Sequence, residues 1–365
     1  MRKIFFILLF VFGCAKLLAQ SDSLLDVKTA QKHTFYVVPT INYQPETSWG
    51  FGVAGANYFK YTDEKRISNL SYGVEYTLKN QFSVSVYPKI YFTSSNWYLY
   101  ANLGYKRYPN AFFGIGNSYE KSSLEKKISY NSNAFFMNVQ PQYFLTDKWL
   151  IGVAMSMRWE KLIGNQVFLT ETKGVKPYFL WGIGGVVSYD SRNNLFYPTS
   201  GMFFKTLFHY YEPYLGNSFR MGQFSVEFRQ FVTIYKEFVF AWQAKTEMAF
   251  GDVPFQLLPT FGGCDQMRGF RNGRWRDDMS IFLQAEFRLP IWWRLKAAVF
   301  GSIGDVYNWN DWNFSIPKIA YGAGLRLRLN KAKVNLRFDV ARQNYDDWKN
   351  FRKGWGFYFT ASEAF

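Results

Sequence analysis

Ile281-Phe282-Leu283-Gln284-Ala285-Glu286-Phe287-Arg288-Leu289 is the stretch that decides the fold. In an extended chain Ile281, Leu283, Ala285, Phe287 and Leu289 share one side, and Phe282, Gln284, Glu286 and Arg288 share the other, because strand side chains alternate with period two. The same period sets Phe224, Val226 and Phe228 against Ser225, Glu227 and Arg229. It sets Leu325, Leu327 and Leu329 against Arg326 and Arg328, and Val334, Leu336, Phe338 and Val340 against Asn335, Arg337 and Asp339. One face is apolar and the other is mostly polar or charged. A soluble sandwich turns such an apolar face inward, whereas a transmembrane barrel turns it to lipid and keeps a wet lumen.

Composition and the N-terminal end favour the membrane version. Met1-Arg2-Lys3, an apolar run from Ile4 to Phe12 and Leu17-Leu18-Ala19-Gln20-Ser21 form a basic start, a short apolar core and a small residue at the exit. Such a segment is a secretory signal peptide, cleaved after Ala19 or Gln20. Cys14 after Val11-Phe12-Gly13 raises a lipoprotein alternative, against which the bulky Phe12 argues. After the signal nothing approaches the roughly 18 apolar residues of a spanning helix. Yet 48% of the chain is hydrophobic and 21% aromatic, with 13 Trp, 26 Tyr and 39 Phe. Aromatic girdles at two membrane interfaces account for that load, and Trp292, Trp293, Trp309, Trp312, Trp348 and Trp355 read as girdle anchors. Loss of Arg2, Lys3 and Lys16 takes the net charge from +16 to +13. The remaining cations are dispersed rather than clustered, so anionic headgroups and a polar lumen explain them and no nucleic-acid partner is expected. Cys264 is left as the single cysteine, which excludes an internal disulfide.

The alternation predicts sixteen strands, at 34–43, 48–60, 66–79, 81–93, 96–106, 125–145, 147–160, 176–191, 201–213, 219–235, 236–250, 278–289, 293–303, 316–330, 331–342 and 352–362. An even count suits a single-chain barrel, and fourteen is the alternative. Short connections (Thr93–Asn96, Thr146–Lys148, Tyr235–Glu237, Asn330-Lys331) face long ones (107–124, 161–175, 251–277, 304–315, 343–351), as periplasmic turns face external loops. The expected division is a signal peptide over 1–20, a short periplasmic segment over 21–33 and an all-β antiparallel transmembrane barrel over 34–365.

The richest segment is Phe261-Gly262-Gly263-Cys264-Asp265-Gln266-Met267-Arg268-Gly269-Phe270-Arg271-Asn272-Gly273, followed by Gln284-Ala285-Glu286 and by Phe300-Gly301-Ser302-Ile303-Gly304-Asp305. Here the chain resembles the BamA- and TamA-type barrels of the Omp85 superfamily, the D15-type bacterial surface antigens. Met267-Arg268-Gly269-Phe270 matches their tetrad at the tip of a long loop folded into the lumen, here between the eleventh and twelfth strands. The resemblance implies that Arg268 pairs with Glu286 and with a carboxylate on the next strand, between Phe300 and Gly304. Ser302 stands at that place, so one anchor is missing or Asp305 supplies it. A charge-assisted pair of this kind would offset the entropy lost by ordering a long loop. The alternative is an ordinary lumenal ion pair that stiffens a wide barrel. Arg326, Arg328, Arg337 and Asp339 read as generic lumen lining.

Tyr197-Pro198-Thr199-Ser200-Gly201-Met202 resembles the family's turn between the eighth and ninth strands. The C-terminal stretch with Phe357, Phe359 and a final Phe365 resembles the signal by which barrel-assembly machinery recognises its clients. The resemblance is specific over roughly 176–365 and architectural before that, and it is to reduced members lacking periplasmic domains.

The implied function is insertion or translocation of proteins, or of lipids, at the outer membrane, through a weak seam between first and last strands. Gly354 and Gly356 would weaken that seam. The implied partners are outer-membrane lipid and lipopolysaccharide, the assembly machinery that inserts the barrel, client proteins, and periplasmic partners or further copies of the chain. The alternatives are a passive pore for small solutes and, with His209 and Ser225, a lipid-acting hydrolase, for which no spacing speaks. His33 and His209 are too few to hold a metal, so no cofactor is expected.

Overall fold

The computed structural model describes residues 33–44, 48–59, 68–92, 95–118, 128–163, 172–194, 197–310, 317–328, 335–344, 354–360 and 363–365. The expected signal peptide and residues 21–32 lie outside the described residues, as do Trp312 and Trp348.

Sixteen strands are described: β1 (His33–Gln44), β2 (Ser48–Phe59), β3 (Ser68–Thr77), β4 (Phe82–Phe92), β5 (Trp97–Phe112), β6 (Ile128–Phe144), β7 (Trp149–Ile163) and β8 (Tyr178–Asp190). Then come β9 (Gly201–Tyr211), β10 (Met221–Tyr235), β11 (Phe238–Gly251), β12 (Met279–Trp292), β13 (Leu295–Tyr307), β14 (Lys318–Arg328), β15 (Asn335–Gln343) and β16 (Trp355–Thr360). Each pairs antiparallel with its sequence neighbours, and β16 returns to β1 to close the barrel. Closure is what a lipid-facing sheet needs, since an open edge would leave backbone groups unpaired in hydrocarbon.

The alternation is inverted relative to a soluble core. On β12 Leu283 and Phe287 are 45% and 41% exposed, while Gln284, Glu286 and Arg288 between them are at 2% or less. Phe51, Val299, Leu325, Phe338 and Phe357 continue the exposed apolar surface around the barrel. Trp292 and Trp293, 75% and 71% exposed, sit together in the turn joining β12 to β13, where a girdle belongs.

Three boundaries depart from expectation. β5 runs on to Phe112 and β13 to Tyr307. Arg107-Tyr108-Pro109-Asn110 reads locally as a turn, but it pairs with Asn133 to Tyr130 of β6, and Gly304–Tyr307 pairs with Phe282–Met279 of β12. Neighbouring strands override the local turn signals. Among the described residues β16 covers Trp355–Thr360, starting later than expected, and its expected end at 362 lies outside the described residues. From β4 onward short connections alternate with long ones, except that β8–β9 (191–200) and β9–β10 (212–220) are of similar length. At the first hairpins the order reverses, since 60–67 separates β2 from β3 but only 45–47 separates β1 from β2. The ends that β10–β11 and β12–β13 close with tight turns are called the short-turn rim below, and the opposite ends the long-loop rim.

Candidate functional site: the lumenal loop tip and its ion cluster

The connection from β11 to β12 carries its own apolar residues inward. Val253, Phe255 and Leu258 join a buried cluster with Tyr130, Tyr178 and Tyr211 at the long-loop ends of β6, β8 and β9. Phe255 meets Phe112 and Tyr130 edge-on, with ring centroids 4.9 and 5.2 Å apart. Arg276 clips this half down by donating from Nη1 to the Phe255 carbonyl at 2.8 Å.

The tip is a tight loop. The Gly263 N–H donates to the Phe270 carbonyl at 2.9 Å, and the Phe270 N–H donates to the Met267 carbonyl at 3.2 Å. Gly262 holds φ +110°, and a Cβ there would run into the backbone of Arg271, so only glycine fits.

Each tetrad residue has its own seat on the β12–β16 wall. The Met267 side chain is fully buried among Phe261, Phe270, Trp275, Phe282 and Val306. Its N–H donates to Gln284 Oε1 at 3.1 Å. Gly304 faces Met267 Sδ, and any Cβ at Gly304 would collide with it. Arg268 lies 1% exposed with its guanidinium carbon 3.5 Å from the centroid of the Phe300 ring, a stacked cation–π geometry. The Gly269 N–H donates to the Tyr358 hydroxyl on β16 at 2.9 Å. Phe270 stands edge-on to Phe261 at 5.7 Å.

The electrostatics centre on two carboxylates. Arg268 Nη2 is 2.7 Å from Glu286 Oε2, and its Nη1 is 2.7 Å from Asp339 Oδ2. Arg326 bridges the same pair, 3.0 Å from Glu286 and 2.5 Å from Asp339. Arg288 holds Glu286 Oε1 at 2.8 Å, and Arg337 approaches Asp339 at 3.5 Å and Asp265 of the loop at 3.0 Å. Glu286, Arg288, Arg337 and Asp339 have no exposed surface. Carboxylates buried this deeply remain charged only with such compensation, and removing one partner strands the others.

Two expected partners of Arg268 lie elsewhere. Ser302 donates from Oγ to the Ala320 carbonyl at 3.4 Å. Asp305 pairs with Lys318 at 2.6 Å. Both are on β13, whereas the second anchor comes from Asp339 on β15, so Asp339, Arg326 and Arg337 are part of the cluster and not generic lining. The register explains it. Gly322 opposite Phe300 leaves room for that ring, and Gly324 opposite Asp339 leaves room for its carboxylate and for Arg326. Those two lumen-facing glycines are the signal in the sequence that would have pointed to β15.

At the closure, among the described residues, Tyr43 of β1 and Phe359 of β16 form a single register pair, whereas β1 pairs with β2 along all its twelve residues. Gly354 and Gly356 are placed against β15, with the Gly354 carbonyl accepting from Gln343. Gly356 leaves space for the Tyr358 ring. Phe357 faces outward, 46% exposed, but Phe365 is 4% exposed and inside the lumen.

His209 and Ser225 line one lumenal cavity of about 230 Å³ under Leu257 and Leu258, and His209 Nε2 makes no hydrogen bond, so no nucleophile–base contact through that nitrogen is present. Among the described residues no three His, Cys, Asp or Glu side chains group as a metal site.

No curated protein matches the chain. Among solved structures, BamA from Haemophilus ducreyi lacking POTRA domains 1–3 has a TM-score of 0.61 at 14% identity, covering 90% of this chain and 70% of that one. CdiB from Acinetobacter baumannii has a TM-score of 0.61 at 12% identity over 90% of this chain and 59% of that chain. CdiB from Escherichia coli has 0.55 at 10%, over 91% and 63%. The chain therefore spans less than two thirds of each CdiB chain, and at these identities the likeness is one of fold. The Omp85 superfamily domain model matches residues 64–365, which takes in the loop, the ion cluster and the closing strand. The chain belongs to the Omp85 superfamily.

Proposed function

We propose that this barrel is a non-enzymatic component of the outer membrane that assists the insertion or translocation of polypeptides, with lipid as the other class of client. One observation carries the reading: the loop tip is bound to β16 through Gly269 and Tyr358, and among the described residues β16 meets β1 at one register pair. A loosely paired edge offers backbone donors and acceptors that an incoming strand can extend. The loop tip sits against that edge from inside, where its ion cluster can hold the seam shut or release it. Export by the N-terminal signal, insertion by the barrel-assembly machinery, contact with lipopolysaccharide, and periplasmic partners or self-association belong to the same proposal.

Planar-bilayer conductance of the purified barrel tests it, with wild type beside Arg268→Ala and a deletion of residues 262–273. Small, flickering currents that become large when the tip is lost support a plugged and gated barrel. Large steady currents, identical in all three proteins, would instead make the barrel a passive pore for small solutes.

A further inference from the structure

Glu363, Ala364 and Phe365 seat inside the barrel. Phe365 and Ala364 are 4% and 6% exposed and pack on Phe231 and Ala241, the lumenal faces of β10 and β11. The Phe231 and Phe365 ring centroids are 6.3 Å apart. Arg288 donates from Nη2 to the Phe365 carbonyl oxygen at 3.2 Å and from Nη1 to the Pro198 carbonyl, in the β8–β9 connection, at 3.1 Å. Its guanidinium lies over both rings, 5.6 Å from Phe231 and 5.8 Å from Phe365. Glu363 accepts from Asn335 Nδ2 at 2.7 Å and pairs with Arg326 Nε at 3.3 Å. A tail that starts from β16 is thus fastened to β14–β15 by its acid and to β10–β12 by its final ring, across the interior.

We propose that Glu363-Ala364-Phe365 is a latch, a plug in a socket built by Phe231, Arg288, Arg326 and Asn335 that closes the short-turn mouth of the lumen. The socket is specific in chemistry. It offers one aromatic surface, one guanidinium for the Phe365 carbonyl, and a guanidinium–amide pair for a carboxylate two residues earlier. Its fastenings are shared with the loop tip, because Arg288 and Arg326 also hold Glu286, which holds Arg268. Withdrawing the tail leaves those arginines short of one acceptor each and loosens the loop anchor. By reciprocity, releasing the loop tip loosens the tail. That cargo is what displaces the latch rests on the proposed function, but the seating of the tail does not.

Carboxypeptidase treatment of the refolded, detergent-solubilised barrel reads the seating directly. Phe365 should be released at least about tenfold more slowly from the folded wild type than from the heat-unfolded chain, since cleavage follows the open population. Phe231→Ala and Glu363→Gln, both full-length, should speed release from the folded barrel. In planar bilayers a barrel ending at residue 362 should conduct more than wild type. A synthetic peptide of residues 360–365 should restore the smaller current, and the same peptide with Phe365→Ala should not. Equal release rates from folded and unfolded protein overturn the latch, as does a Phe231→Ala barrel that behaves like wild type in both assays. If the truncated chain does not refold, the two full-length variants still decide. A latch that passes while every insertion and translocation assay is negative would leave the plug standing and remove the assembly role.

Discussion

Arg268 Nη1 lies 2.7 Å from Asp339 Oδ2, joining a loop tip to a strand 71 residues further along the chain. Glu286 faces Arg268, Arg288 and Arg326, and Asp339 faces Arg268, Arg326 and Arg337. Neither carboxylate has any exposed surface. Neutralising either takes one counter-charge away from three buried guanidinium groups, at a cost of about 3–5 kcal/mol. Glu286→Gln and Asp339→Asn should therefore lower the temperature at which the barrel loses its compact band in unboiled gel electrophoresis. A double-mutant cycle on Arg268→Ala and Asp339→Ala should give a coupling of at least about 1 kcal/mol. Additive effects would mean that the pair anchors nothing.

Strand positions were legible because every strand must show lipid an apolar face, so the period recurs along the chain whatever the tertiary context. The partner of Arg268 was not. Alternation tells which side a residue faces, but not how high it sits in the lumen or which strand brings it level with a loop. Asp339 was visible as lumenal and reaches Arg268 only through the stagger of β12 to β15. The tail left a trace that was readable. Glu363 and Phe365 share the parity of Phe357 and Phe359, so a strand continued past Thr360 would have put a carboxylate into lipid.

The loop is held by more than its arginine. One charge-assisted pair contributes about 1.5–3 kcal/mol. Burial of Phe255, Leu258, Phe261, Phe270 and Trp275 contributes about as much for each large side chain, so the apolar residues outweigh the single pair. Arg268→Ala should then free the tip alone, opening protease sites within 262–273 while the segment around Phe255 stays protected. Phe255→Ala, which leaves a hole between Phe112 and Tyr130, should cost about 3–5 kcal/mol and expose the first half of the loop. Cleavage patterns mapped by mass spectrometry separate the two. Full release of the loop in Arg268→Ala would show that the ion cluster carries the docking.

A hydrolase reading of the His209 cavity makes a different demand. His209 would have to accept a proton from a nucleophile, yet its Nε2 has no hydrogen-bonded neighbour, and Ser225 stands two positions on from Gln223, which faces His209. Lipid release by the purified barrel in phospholipid vesicles should be no higher than in empty vesicles. His209→Ala and Ser225→Ala should leave conductance and thermal stability within experimental scatter. Phospholipid hydrolysis lost in both variants would reinstate the enzyme.

The seam supplies the sharpest test of the proposed role. Tyr43 and Phe359 face each other as antiparallel partners, and such partners have Cα atoms roughly 4.5–5.5 Å apart, inside the range a disulfide spans. Tyr43→Cys with Phe359→Cys, in a Cys264→Ser background that removes the cysteine beside the loop tip, should lock the barrel when oxidised. A control lock belongs between β2 and β3, where Phe51 and Tyr76 are also partners and both point outward. If clients are handled at the edge of β16, oxidation should abolish client insertion at the seam lock alone, and reductant should restore it. The seam-locked barrel should still pass the basal current of wild type, because the lumen is untouched. Undiminished client handling in the locked barrel would sink the lateral-gate reading and leave the lumen, with its loop and tail, as the only route through.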